Sequence, residues 1–265
     1  MDRNEVDFES RIVVGEHMVP SLVKKHTALQ TILLHLIPGI FNLLAIFLLL
    51  PLTPLFGYAE NGRLLAGELM IIVSIVPIQI GFLLFAAKKT TRTYNIFKLM
   101  PFKEKSKFVE YLLFVAIMLG WALSISAILP PVENGLRDSL FAFVPDHLAM
   151  RNMDFYATPK GLLIFAASFA ILTNGIIAPI TEELYFRGYL LPRIDASPML
   201  SVIINAVLFS LYHFFSPWYF LSRILMMIPL YYWVMKRKNI RFSIIAHMIA
   251  NVFTSVSFLL EILRL

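Results

Sequence analysis

Residues 161–190 read GLLIFAASFAILTNGIIAPITEELYFRGYL. The first 21 of them carry no charge, and a bilayer core is crossed by about 20 mostly apolar residues in helical form. Glu182, Glu183 and Arg187 follow directly, with no polar loop between. An apolar span that ends on a cluster of ionisable groups sets the fold: a membrane helix with chemistry attached. The same texture recurs at 29–52, 67–87, 109–129, 198–214, 217–235 and 242–263. Hydrophobic residues make up 58% of the 265, charged residues only 15%, and mean hydropathy is +0.75. A soluble domain carries roughly 25% charge, so water-soluble globular and disordered classes are excluded. The expected fold is all-α: a polytopic membrane helical bundle of about seven transmembrane helices with interfacial helices at its edges. Residues 1–28 read as an N-terminal cytosolic or interfacial segment and 29–265 as a single transmembrane domain. The span at 161–181 is expected to run on toward Arg193, kinked near Gly175 and Pro179.

The absence of Cys excludes disulfides, thiol nucleophiles and thiolate metal sites. Net charge is +6, and its placement matters more than its sum. With the N-terminus inside, sixteen Lys and Arg fall in inner segments and five (Arg63, Arg137, Arg151, Lys160 and Arg264) in outer ones. This predicts a multi-pass protein of the cell membrane, with a cytoplasmic N-terminus. The basic residues sit in connections between spans, so nucleic acid is not an expected partner; the lipid bilayer and a peptide or protein substrate within it are. The first 28 residues mix acids and bases without a short apolar core, unlike a signal peptide. In the outer connection 130–159, Leu136, Leu140, Phe141, Val144 and Leu148 recur at helical spacing, which predicts a stretch lying on the membrane surface.

Ionisable groups in spans cost about 2.5–3.5 kcal/mol each and so point to function. Three helices carry polar groups at helical spacing. Glu183 and Arg187 are four apart and face each other as an ion pair. Glu182 points about 140° away from Arg187 and is left beside a second carboxylate in a poorly hydrated place. That position suits it to take up a proton, as a general base must. The plainer alternative is a solvated helix end. Phe209 and His213 share a face of the next polar-bearing helix, where a lone His is also a common packing residue. His247 and Asn251 share a face of the last helix, where two donors could hold an oxyanion or simply bond between helices. His35 and Gln79 read as packing contacts, Arg223 as a snorkelling cation, and Asn174 and Asn205 as cavity lining or interhelical bonds.

Taken in order, Glu-Glu-x-x-x-Arg at 182–187, Phe-x-x-x-His at 209–213 and His-x-x-x-Asn at 247–251 resemble the CAAX protease and bacteriocin-processing family, also called Abi. Its best-known branch is the type II CAAX prenyl endopeptidase. The resemblance covers a protease-like core at about 161–256. It implies an intramembrane endopeptidase acting on a membrane-associated or lipidated peptide by glutamate- and histidine-activated water. It further implies that Glu182 is the general base, Glu183 and Arg187 orient it, His213 helps activate water, His247 and Asn251 hold the oxyanion, and Phe209 walls the substrate cavity. The family is described both as metalloprotease and as metal-free. No cofactor is firmly required; zinc, if present, would use Glu182, His213 and His247. Elimination among membrane proteases agrees: there is no His-Glu-x-x-His, no Gly-x-Ser, and every Asp lies in a tail or loop.

Depth sets a tension. His247 is six residues from Arg241, about 9 Å along a helix, and His213 is sixteen from Ser197, about 24 Å. They meet only if helices tilt or if the helix from 198 starts in the aqueous phase. A cavity open to the cytosol or to lipid is expected, with Glu182 below the surface. Two rival readings remain at this stage: a non-catalytic membrane protein of the same fold that binds and regulates another, and a transporter or receptor. The second lacks a repeat of matching broken helices.

Overall fold

The computed structural model describes residues 23–151 and 153–265. The reading of 1–28 as a cytosolic or interfacial segment therefore lies almost wholly outside the described residues. Among these, the chain is all-α, and its only β-bridges are two isolated pairs, His26 with Ile194 and Lys103 with Asn239.

Helix α1, Ala28–Leu49, starts at a capping box in which Thr27 and Gln30 exchange side-chain and backbone hydrogen bonds. A 3₁₀ turn carries it on to Phe56. Helix α2 spans Gly62–Thr91, α3 Phe108–Ile128, α4 Pro130–Asp138 and α5 Lys160–Arg193. Helices α6 (Pro198–Tyr212), α7 (Phe220–Arg237) and α8 (Arg241–Arg264) complete the bundle. All seven expected apolar stretches are helical, but the count of seven spans is not confirmed. Five helices are long and apolar enough to cross a membrane: α1, α2, α3, α5 and α8. Two features separate the others. Helix α6 has only 15 residues, and α7 carries Arg223, Lys236 and Arg237 on its 18. Helix α6 is instead packed between α1 and α7.

The lipid-facing character is visible in what stays uncovered. Phe108, Leu113 and Ile117 on α3 are 73%, 61% and 69% exposed, and such apolar rows are stable only against hydrocarbon. The protein is a multi-pass membrane protein.

The long α5 runs without a break to Arg193, as expected, but widens into π-turns at Thr173–Ile177 and Glu183–Leu190. Such turns leave helix carbonyls off the regular ladder and concentrate at functional sites. The main core forms around its second half, with Tyr185, Phe186, Leu190 and Leu191 packed against Val202, Phe209 and Tyr212 of α6 and Tyr231 of α7. The 130–159 connection forms α4, a turn at Asp146–Ala149 and a 3₁₀ turn at Phe155–Ala157. Arg137 anchors it, donating to the carbonyls of Phe141 and Val144 and to Asp146, with its guanidinium over the Trp218 ring. The expected surface helix is thus broken into short pieces, of which α4 packs on the turn before α7.

Candidate active site

The second π-turn of α5 brings two adjacent carboxylates to different fates. Glu183 is fully buried and pairs with Arg187 at 3.2 Å. The Arg187 guanidinium lies between two rings, 3.9 Å from the Phe209 centroid and 3.7 Å from that of Tyr231. Stacking of this kind suits a planar cation with both faces desolvated. The same Oε1 of Glu183 accepts Nδ1–H of His247 at 3.0 Å. A carboxylate on Nδ1 fixes the imidazole's orientation and presents Nε2 elsewhere. The predicted ion pair is therefore present, and it also positions His247 from across the bundle.

Glu182 faces the other way, into a cavity of about 440 Å³. Phe209, His213, His247 and Asn251 line the same cavity, whereas Glu183 and Arg187 stand behind its wall. Glu182 has a neighbour that the nearby sequence does not reveal: the side chain of Tyr212 interacts with it electrostatically. The Tyr212 hydroxyl oxygen accepts from Asn42 at 2.7 Å and from Gln79 at 2.9 Å, so its proton is left for the carboxylate. Ser74 holds Asn42 in turn at 2.8 Å. Gln79 is thus part of a polar network rather than a plain packing contact.

His213 sits at the C-terminal cap of α6 and donates Nδ1–H to the Phe209 carbonyl at 2.9 Å. A carbonyl can only accept, so Nε2 of the neutral ring carries the lone pair. The Phe209 ring lies 4.8 Å from that of His213 and 6.5 Å from that of His247. The two histidines therefore converge despite their different distances from the helix starts. The first turn of α6 is exposed, with Met199 and Leu200 each at 48%, so the helix begins well outside the packed interior.

Asn251 reaches α5 because Gly175 lets α8 come close. A Cβ at Gly175 would stand 2.9 Å from Val252 Cγ2. Asn251 Nδ2 donates to the carbonyl of Asn174, in the first π-turn, at 2.9 Å. One of its two amide protons is thus structural, and one remains for the cavity. Asn174 also lines the cavity. Asn205 does not: it bonds His35 Nε2 at 2.9 Å and the Phe186 carbonyl at 3.1 Å, the interhelical alternative.

Two expectations are corrected. Arg223 does not snorkel; it lines the cavity and donates to the carbonyl and hydroxyl of Ser216, because the 213–219 turn folds back over it. Arg63, counted as an outer-loop cation, is in the first turn of α2 and buried against the same cavity. The cavity lies at the end of the bundle that bears Arg63, Met150 and Phe215. That is the end opposite the basic connections at 88–107 and 236–241, not the basic end. The physical reason is the course of α6, which rises from the basic end and stops at His213, so its last turn floors a space roofed by the other connections.

The zinc set does not form a compact ligand group. Among the described residues no three of His, Cys, Asp and Glu come together closely enough to hold a metal ion.

Residues 164–253 match the family model for type II CAAX prenyl endopeptidase, Rce1-like. The chain is similar to the UPF0177 protein YxdF of Lactococcus lactis subsp. lactis (strain IL1403), with 35% identity over 79 residues, 30% of this chain. The match spans 44% of that protein's length. No solved structure matches. The matched segment holds Glu182, Glu183, Arg187, both cavity histidines and Asn251, and over that segment, about a third of the chain, the sequence is similar to the family that its three motifs resemble.

Proposed function

We propose that this protein is an intramembrane endopeptidase that hydrolyses a peptide bond of a membrane-associated or lipidated substrate without a covalent intermediate. One observation carries the reading. Of two adjacent buried carboxylates, one is sequestered by a cation and an imidazole, and the other opens onto a cavity shared with a second imidazole whose Nε2 is free.

In this scheme water sits between Glu182 and Nε2 of His213. Glu182 takes one of its protons as the oxygen bonds to the substrate carbonyl carbon. The remaining amide proton of Asn251 meets the oxyanion, joined by His247 when its ring carries Nε2–H. As the C–N bond breaks, Glu182 returns the proton to the leaving amine. Tyr212 keeps the carboxylate aimed, and Glu183 with Arg187 keeps His247 aimed. The deciding comparison is cleavage of a membrane-anchored peptide by the wild type and by Glu182→Gln.

Access for a substrate held in lipid is supported by a second cavity of about 200 Å³, which shares His247 and Asn251 with the first. It runs between α3, α7 and α8, and its lining residues Ser126 and Thr254 are exposed on the bundle's flank.

The chemistry needs no bound metal. Treatment with EDTA or 1,10-phenanthroline is expected to leave cleavage within about twofold of the untreated rate, whereas loss restored by added zinc would show that a metal does the work.

The charge asymmetry supports a cytoplasmic N-terminus, and the cavity then faces the outer side. Because the chain has no Cys, single cysteines report sidedness cleanly. In intact cells a membrane-impermeant maleimide is expected to label Leu140→Cys, and to label Tyr94→Cys only after permeabilisation. Both positions are 65% exposed. The reverse pattern would invert the orientation.

A further inference from the structure

A larger cavity, of about 680 Å³, lies at the other end of the bundle from Glu182, and the proposed hydrolysis does not use it. Its size falls within the range of roughly 300–1,000 Å³ that small-molecule sites occupy. The C-terminal end of α5, the first turn of α6 and the end of α7 form its walls, closed by Pro101 and Phe102 from the connection before α3. Phe102 and Leu191 give it a buried apolar floor, and Tyr232 and Met235 an apolar side. The rest of the lining brings in Lys25, Lys236 and Lys238, and among the described residues it contains no acid. An apolar space edged by charge of one sign matches a molecule with an anionic head and a hydrocarbon tail.

Local structure sets the positive charge at this end. Lys25 Nζ donates to the carbonyls of Pro192 and Ile194 at 3.1 and 3.0 Å. It thereby serves the free carbonyls where α5 stops, and one of its three protons remains. Lys236, on the last turn of α7, is exposed, and its ammonium lies 6.0 Å and 5.8 Å from the ring centroids of Tyr232 and Trp233. Its stem follows the aromatic surface while its head stays at the edge. Helix α6 starts at the same place from Ser197, whose side chain makes no capping bond, so the first N–H groups of that helix add to the positive field. Pro198 and Tyr232 are exposed on the flank of the bundle, where lipid reaches the wall. The cavity also lies level with the basic connections at 88–107 and 236–241, the depth at which headgroups sit. Basic pockets between helices at that level suit anionic headgroups.

We propose that this cavity binds an anionic phospholipid, with its phosphate among Lys25, Lys236 and Lys238 and one acyl chain in the apolar space between α6 and α7. The lipid braces the ends of the three helices that carry Glu182, His213 and the Tyr231 ring. The site is independent of the peptidase reading.

The test uses full-length protein in nanodiscs of equal phosphatidylcholine and phosphatidylglycerol with matched chains. After release into detergent, retained lipids are counted by native mass spectrometry. Phosphatidylglycerol is expected to be retained about thirtyfold over phosphatidylcholine, at about fivefold for each cation near a headgroup. The ratio falls to about fivefold or less in Lys236→Gln with Lys238→Asn, the Asn suiting the φ of 48° at that position. Ala196→Phe fills the apolar space and leaves every charge in place; it lowers retention of phosphatidylglycerol as well, and carries the test if the double variant does not fold. Replacing Lys103, Lys105 and Lys107, which are exposed and outside the lining, with Gln leaves the ratio near that of the wild type. A wild-type ratio near one overturns the proposal, as does a ratio that survives both the double variant and Ala196→Phe. An equal fall in the Lys103, Lys105 and Lys107 variant would reduce the effect to general surface attraction and overturn it too. Displacement of the lipid by millimolar glycerol phosphate would make this a phosphate site rather than a lipid site. Residues 1–22 include Asp2, Glu5, Asp7, Glu9 and Glu16; retention that emerges only when they are removed would make the chain's own acidic segment the occupant, against the proposal.

Discussion

Glu182→Gln protein is expected to fold as the wild type does and to lose between a hundredfold and about 10⁴-fold in turnover of a membrane-anchored peptide, the usual contribution of a positioned general base. The amide keeps the volume of the carboxylate and its place beside Tyr212. What it loses is the capacity to take a proton from water. Because Glu182 holds no cation in an ion pair, its replacement leaves no charge stranded, and the melting temperature should stay near that of the wild type. KM should change little, since the scheme gives Glu182 no role in holding the substrate. An unchanged rate would remove Glu182 from the chemistry. A collapse of the fold would instead make it structural.

Arg187→Met is expected to do the opposite: to destabilise the protein by about 3–5 kcal/mol, as removal of one partner from a buried ion pair does. Arg187 and Glu183 are both fully buried. Without the guanidinium, Glu183 loses its ion-pair partner and keeps His247, and the gap between Phe209 and Tyr231 loses its cation. Detergent-solubilised protein followed by thermal or denaturant unfolding measures the loss. The double variant Glu183→Gln with Arg187→Met removes both charges and should recover part of the stability, though not the activity, because His247 loses its orienting carboxylate. Additive losses in the double variant would mean that the two side chains are not coupled.

The contrast between these two carboxylates was legible in the sequence as far as helical geometry reaches. A spacing of four fixes Glu183 on Arg187, and the π-turn that the helix adopts there does not undo it. The apolar runs also located the helices. What the sequence left open depends on which distant faces meet. Tyr212 finds Asn42 and Gln79 across separations of 170 and 133 residues, and no local pattern encodes that meeting. Apolar content alone also did not separate α6 and α7 from the longer helices, because burial against neighbours and immersion in lipid select the same side chains. Arg63 and Arg223 read as interfacial cations because position along a span shows depth but not which groups face inward. Only the packed bundle places both in the lining of the cavity.

The claim beneath the whole account is that Glu182 delivers a water molecule to a peptide bond inside the bundle. Cleavage in H₂¹⁸O reads that step directly. The wild type is expected to place one ¹⁸O in the new terminal carboxylate of a membrane-anchored peptide, and Glu182→Gln protein of unchanged melting temperature to yield no product above the uncatalysed background. Labelled product formed by the Glu182→Gln protein at the wild-type rate would contradict it.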